Sequence, residues 1–323
     1  MVFPVSGVEV APWIPPLVAF VVSFFTSMGG VSGAFLLLPF QVSVLGFSSP
    51  AVSPTNLIFN IIAIPSGVYR YIKEGRMAWP LTWVVIVGTL PGMFIGVVIR
   101  IKYLPDPKSF KMFAGFVLLF IGFRLFYDLI RRKDKARTEA KALEERFNRR
   151  IREARVRNES RLASGLPPEA MVKTIRFSLT RIVYQFYGET FGFPTYGIFI
   201  LSFLVGIVGG VYGIGGGAII APFFVAIFGL PIYTIAGATL AGTFITSIFG
   251  VIFYQLIAPF YATAGLAVAP DWMLGASFGV GGLAGMYCGA RFQKFVPAPY
   301  IKVLLALIIL FVALRYISQF FLA

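Results

Sequence analysis

Long apolar runs separated by short polar ones occupy most of the chain. A hydrocarbon core of roughly 30 Å is crossed by about 20 apolar residues in a helix. Eight such segments can be marked, at 13–46, 51–72, 79–101, 110–130, 196–230, 232–258, 272–290 and 300–322. The pattern predicts an all-α polytopic membrane protein, since helices satisfy their own backbone groups in lipid. Segments 13–46 and 196–230 are too long for one crossing, and each carries a cluster of glycines. Each is expected to be broken there into two short helices that fold back as a re-entrant pair. The first residues lack the basic region of a secretory signal, so the first apolar run is expected to be retained in the membrane.

The two halves repeat one another. FVVSFFTSMGGVSGAFLLLPF, starting at Phe20, and FILSFLVGIVGGVYGIGGGAIIAPF, starting at Phe199, share Phe-x-x-Ser-Phe, a Gly-Gly pair, a further glycine and Pro-Phe. The third segments share a tryptophan followed by glycines at four-residue steps: Trp79, Gly88, Gly92 and Gly96 against Trp272, Gly281, Gly285 and Gly289. Those steps suit close helix packing. The fourth segments each open on Pro-x-Pro and carry one late arginine, Arg124 or Arg315, which can snorkel to the membrane surface. Three regions follow: a first membrane repeat (1–130), a hydrophilic linker (131–189) and a second membrane repeat (190–323).

Charge changes the picture by adding direction. Only 13% of the residues are charged and the net charge is +15. Residues 131–181 hold 16 basic and 7 acidic residues, more than half of all charges in the chain. The positive-inside rule makes this linker cytoplasmic, and anionic lipid headgroups rather than nucleic acid are its expected partner. Ala136, Ala140, Leu143, Phe147, Ile151 and Ala154 fall at helical spacing, as do Ile175, Leu179, Ile182 and Phe186, so amphipathic helices are expected in both places. Walking outward from a cytoplasmic linker puts loops 70–76 and 291–302 inside, and 100–111 and 259–271 outside. Corresponding loops then face opposite sides, as in an inverted repeat. The four basic residues Arg100, Lys102, Lys108 and Lys111 run against that assignment.

The densest glycine cluster is GGVYGIGGGAIIAP, which comprises Gly209, Gly210, Gly213, Gly215, Gly216 and Gly217. Gly213, Gly215 and Ala218 match the spacing of a dinucleotide fingerprint, but no acidic residue lies between Glu189 and Asp271 to hold a ribose, and no Gly-Lys-Ser/Thr follows. Three consecutive glycines before a proline instead favour a broken helix. The half-helix after the break aims free N–H groups and a positive dipole end into the protein, which favours an anion. Gly29, Gly30 and Gly33 occupy the corresponding place in the first half. Beyond the breaks, Asn56 and Asn60 align with Thr239 and Thr243; each pair is four residues apart, on one helix face, and offers neutral donors to a shared cavity. Tyr212 adds a hydroxyl beside the second break, in a donor or a packing role.

Paired GGVxGxGGG…P elements in a duplicated chain of about eight segments resemble the sulfite exporter TauE/SafE family of membrane transporters. The resemblance covers residues 15–130 and 190–320 and leaves out the linker; the first copy, GGVSGAFLLLP, lacks the glycine triplet. It implies export of a small anion such as sulfite, thiosulfate, a sulfonate or a related organic acid. Alternating access around a site between the repeats is then the expected mechanism, in the cell membrane and with no cofactor. No histidine is present and no acidic residue lies deep in an apolar segment, so neither a proton relay nor a hydrolase has obvious side chains to run on. An anion leaving a cell that is negative inside needs no relay, because each charge gains about 2.3 kcal/mol per 100 mV. An anion channel, or a scaffold that uses the basic linker, is the alternative.

Overall fold

The computed structural model describes residues 1–28, 32–73, 75, 77–130, 171–186, 188–230, 232–262, 265–292 and 298–322. Gly29, Gly30 and the apolar stripe from Ala136 to Ala154 lie outside the described residues. In the first half the long opening segment is two helices, α1 (Ile14–Met28) and α2 (Ala34–Ser43). Then come α3 (Val52–Ala63), α4 (Pro65–Lys73), α5 (Trp79–Lys102) and α6 (Pro107–Ile130). The second half opens in the same way, with α7 (Thr195–Tyr212) and α8 (Gly217–Phe228), followed by α9 (Ile232–Ala262), α10 (Trp272–Phe292) and α11 (Ala298–Leu322). Three of these helices are long and apolar enough to cross a membrane by the described residues alone, within α5, α7 and α9.

Both over-long segments are thus divided, as their length demanded. The second segment behaves differently in the two halves. Pro65 starts a new helix after α3, because its ring removes the amide a continuing helix requires. The corresponding stretch of α9 has no proline, and that helix runs for 31 residues.

Packing crosses between the halves in matched pairs. The first helix of each half lies along the third-segment helix of the other: α1 along α10, and α7 along α5. α3 likewise meets α10 while α9 meets α5, and the fourth-segment helices α6 and α11 meet each other. Glycine makes these approaches possible. A Cβ at Gly92 or Gly96 would fall on the carbonyl of Phe203 or Ile207 in α7, and one at Gly285 or Gly289 on that of Phe20 or Phe24 in α1. Large apolar side chains such as Phe123, Leu256, Leu307 and Phe311 point outward, while Ser53, Asn56, Asn60, Thr243 and Ser247 are buried. Apolar groups facing lipid, with the few polar side chains of the helices turned inward, are what a membrane solvent selects.

Loop contacts gather at two ends of the bundle. At one end the backbone amides of Val5 and Ser6 donate to Asp271 Oδ2 at 3.3 and 3.0 Å, and Ala51 donates to the Ala267 carbonyl at 3.0 Å. The stretch before α1 and the stretch after α2 therefore both reach the same loop. At the other end Phe193, just before α7, packs its ring on Phe228, the last residue of α8, at 6.4 Å between centroids. Each pair of half-helices thus returns to the end of the bundle from which it started.

One expectation fails. Residues 172–186 do not form an amphipathic helix; they belong to an antiparallel sheet of β1 (Lys173–Phe177), β2 (Arg181–Phe186) and β3 (Glu189–Pro194), in that order. Ile182 and Phe186 are four apart, which fits a helical face, but with Tyr184 between them they also alternate. Strand pairing buries all three on one side of β2. Tyr184 and Thr234 hydroxyls meet at 2.7 Å and dock the sheet on α9.

Candidate functional site

The second break is built by backbone conformation. α7 ends at Gly213, whose φ of 77° and ψ of 31° are left-handed, and the amides of Gly213 and Ile214 both return to the Gly209 carbonyl. Gly215 and Gly216 follow at φ 72° and 76° before α8 begins. An L side chain rarely adopts these angles, and at Gly213 and Gly217 there is also no room for one. A Cβ at Gly213 would fall on the Ser53 carbonyl, and one at Gly217 on the Thr243 hydroxyl.

A helix that stops in the interior leaves carbonyls without partners. Here side chains from α3 and α9 take them. Tyr254 donates to the Gly210 carbonyl (3.3 Å), Ser53 to Val211 (3.1 Å), Asn56 to Gly213 (3.0 Å), Asn60 to Ile214 (3.3 Å) and Thr246 to Gly215 (3.0 Å). The amides are treated differently. Among the described residues no hydrogen bond engages the N–H of Gly215 or Gly216. The break therefore presents its donors and covers its acceptors, which favours negative charge beside the α8 N-terminus.

The first break meets the second through the two asparagines. Asn56 Nδ2 also donates to the Ala34 carbonyl at 2.9 Å, and its Oδ1 accepts from Gln41 Nε2 at 3.2 Å. Asn60 Oδ1 accepts from Ser32 Oγ at 2.9 Å. Tyr212 donates its hydroxyl to the Phe35 carbonyl of α2 at 2.9 Å. Gly33 precedes α2 in a right-handed conformation, φ −67°.

The structure thus brings together Gly33, Asn56, Asn60, Tyr212, Gly213, Gly215 and Gly216 around one junction. Gly209 and Gly210 form the last turn of α7 against Gly216 and the Met93 carbonyl. Thr239 and Thr243 line α9 beside Gly217, but their hydroxyls serve their own helix, donating to Ala236 and Thr239 carbonyls at 3.1 and 2.9 Å. That is the usual fate of threonine in a membrane helix.

Two buried charged residues were not singled out as site candidates. Arg100, at the end of α5, is fully buried, with its guanidinium 3.8 Å above the Phe110 ring and donating to the Leu104 and Ser48 carbonyls. The end of a helix and a ring face both favour a cation. The sequence reading placed Arg100 in the loop 100–111, although it also falls within the apolar segment 79–101. Asp271 caps α10 through the Leu274 amide at 3.0 Å while holding the N-terminal stretch.

Compared with known families, residues 16–316 match the model described as Sulfite exporter TauE/SafE. The chain belongs to the TauE/SafE family. No curated protein and no solved structure matches it. Membership makes it an integral membrane protein and a transporter of sulfur-containing anions. In this TauE/SafE protein the matched span contains both breaks and α3 and α9, the helices that cover the carbonyls of the second break.

Proposed function

We propose that this protein exports a small sulfur oxyanion, a sulfonate or a related organic acid anion across the cell membrane by alternating access, holding it where the two breaks meet. The observation that carries this reading is the division of labour at the second break: five carbonyls are taken by side-chain donors while the amides of Gly215 and Gly216 are left for a ligand. Such a site attracts an anion with neutral groups fixed in advance, and it needs neither metal nor cofactor.

The remaining parts follow from the same plan. The two repeats are inverted about an axis in the membrane plane, and rocking of one against the other opens the junction to each side in turn. Each re-entrant pair gives no net crossing, which leaves three crossings per half. The basic linker lies in the cytoplasm against anionic headgroups. With that orientation the membrane potential drives the anion outward at about 2.3 kcal/mol per charge per 100 mV. The protein acts as a transporter and not as an enzyme.

Flux in proteoliposomes tests the reading. Sulfite, thiosulfate and a sulfonate are offered at imposed potentials of either sign, with wild type beside Asn60→Asp, which keeps the side chain's shape and adds a negative charge at the junction. Saturable flux of at least one anion that responds to potential and collapses in Asn60→Asp supports the site. Absence of flux for every anion overturns it.

A further inference from the structure

Many hydroxyl groups on the described helices of this protein find a carbonyl one turn back. Ser27 bonds Phe24, Thr89 bonds Val85 and Thr55 bonds Ala51, as expected in an apolar medium. Ser23 on α1 and Ser247 on α9 do not. Both are fully buried, and among the described residues neither Oγ has a hydrogen-bond partner. A buried hydroxyl without a partner destabilises a fold and calls for a reason.

Their position supplies one. Ser247 Oγ lies 2.9 Å from where a Cβ on Gly215 would stand, and Ser23 Oγ lies 3.1 Å from the same point on Gly33. Each orphan hydroxyl thus faces the glycine of a break, one in each half. Gly33 adjoins Ser32, and Gly215 adjoins Ile214, the two residues that Asn60 ties together through its Oδ1 and Nδ2. The unpaired Gly215 amide belongs to the same corner. Free donors therefore stand on both sides of Asn60, and the carbonyls beside them are already covered.

We propose that Ser23 and Ser247 are the specificity-determining donors of the transported anion, each giving its Oγ–H to a different oxygen of one sulfite-type oxyanion. The inference rests on the anion-export reading and deepens it. An oxyanion with several oxygens accepts from both serines at once, which a spherical halide does less well. The empty protein carries the cost of two orphan hydroxyls, and the loaded protein recovers it. Ser202, a third orphan hydroxyl, provides an internal control: its Cβ faces Gly88 of α5 at the seam between α5 and α7.

The experiment compares wild type, Ser23→Ala, Ser247→Ala and Ser202→Ala by two readouts: thermal midpoint in detergent with and without sulfite, and KM for sulfite flux in proteoliposomes. Without sulfite all three variants are expected to melt at or above the wild-type midpoint, because each loses an unsatisfied group. The KM is expected to rise at least tenfold in Ser23→Ala and in Ser247→Ala, the worth of one hydrogen bond to a charged group. Ser202→Ala keeps the wild-type KM. Sulfite raises the midpoint of wild type and Ser202→Ala more than that of the other two. Active wild type with unchanged KM in both Ser23→Ala and Ser247→Ala overturns the proposal alone, as does a lowered midpoint of those variants without sulfite. Inert wild type overturns the export reading itself.

Discussion

The break between α7 and α8 passes through Gly213, Gly215 and Gly216, all with positive φ, whereas α2 is entered through Gly33 at φ −67°. Both breaks lie on the same asparagine-bearing helix, and Asn56 and Asn60 donate or accept on each side. The comparison separates two ways of entering the half-helix after a break in a low-dielectric interior. The second half uses a backbone that only glycine readily supplies. In the first half the entry to α2 keeps an ordinary conformation, with a serine beside it that bonds Asn60.

The largest expected effect exploits that difference. Gly213→Ala places a Cβ on a left-handed residue and on the Ser53 carbonyl, and is expected to cost about 3 kcal/mol or more through strain and backbone displacement. Gly33→Ala meets first the side chains of Ser23, Val22 and Thr26 at 3.1 to 3.3 Å and should cost about 1 kcal/mol. Midpoints of the two variants in detergent check this. Equal losses would mean that the two breaks share one conformational requirement.

Next in size is the contrast between the aligned residues Asn56 and Thr239. Asn56→Ala strips donors from the Ala34 and Gly213 carbonyls and should cost about 2–4 kcal/mol. Thr239→Val removes a hydroxyl that serves only the Ala236 carbonyl in its own helix and should cost less than about 1 kcal/mol. Similar losses by thermal melting would show that the repeat's symmetry extends to energetics.

Smaller effects belong to the two loop ends. Asp271→Ala removes the α10 cap and the acceptor for the Val5 and Ser6 amides, at a cost of about 1–2 kcal/mol, and should raise amide exchange in residues 5–8. At the opposite end Tyr184→Phe removes the hydroxyl contact to Thr234, at about 1 kcal/mol. Burial pushes the Tyr184 phenol above its ordinary value of 10.0. The sheet's docking is therefore complete below that pH and weakens as pH climbs toward the folded value, since only the undocked phenol ionises there. Protection of β2 amides relative to their intrinsic exchange rate should fall above pH 10 in wild type, and Tyr184→Phe should lack that fall.

The sequence by itself determined the membrane class, the duplication, the course of the segments and the need for two broken helices. These follow from the sum of transfer free energies over about 20 residues and from the conformations glycine permits, both of which are local properties. It also singled out Asn56, Asn60 and Gly213, which the fold brings to one junction. Only tertiary structure decided what those residues do. The amide groups of Asn56 and Asn60 are spent on carbonyls from the opposite break, a fact that depends on contacts more than 150 residues apart in the chain. The sheet at 173–194 was hidden because Ile182 and Phe186 fit both a helical and a strand period, and pairing with β1 and β3 made the choice. Arg100 was hidden because burial is not written in a residue's neighbours, and Phe110 reaches it only through the turn into α6. Ser23 and Ser247 were hidden for the same reason: whether a hydroxyl in a helix is satisfied is settled by the atoms that fold around it.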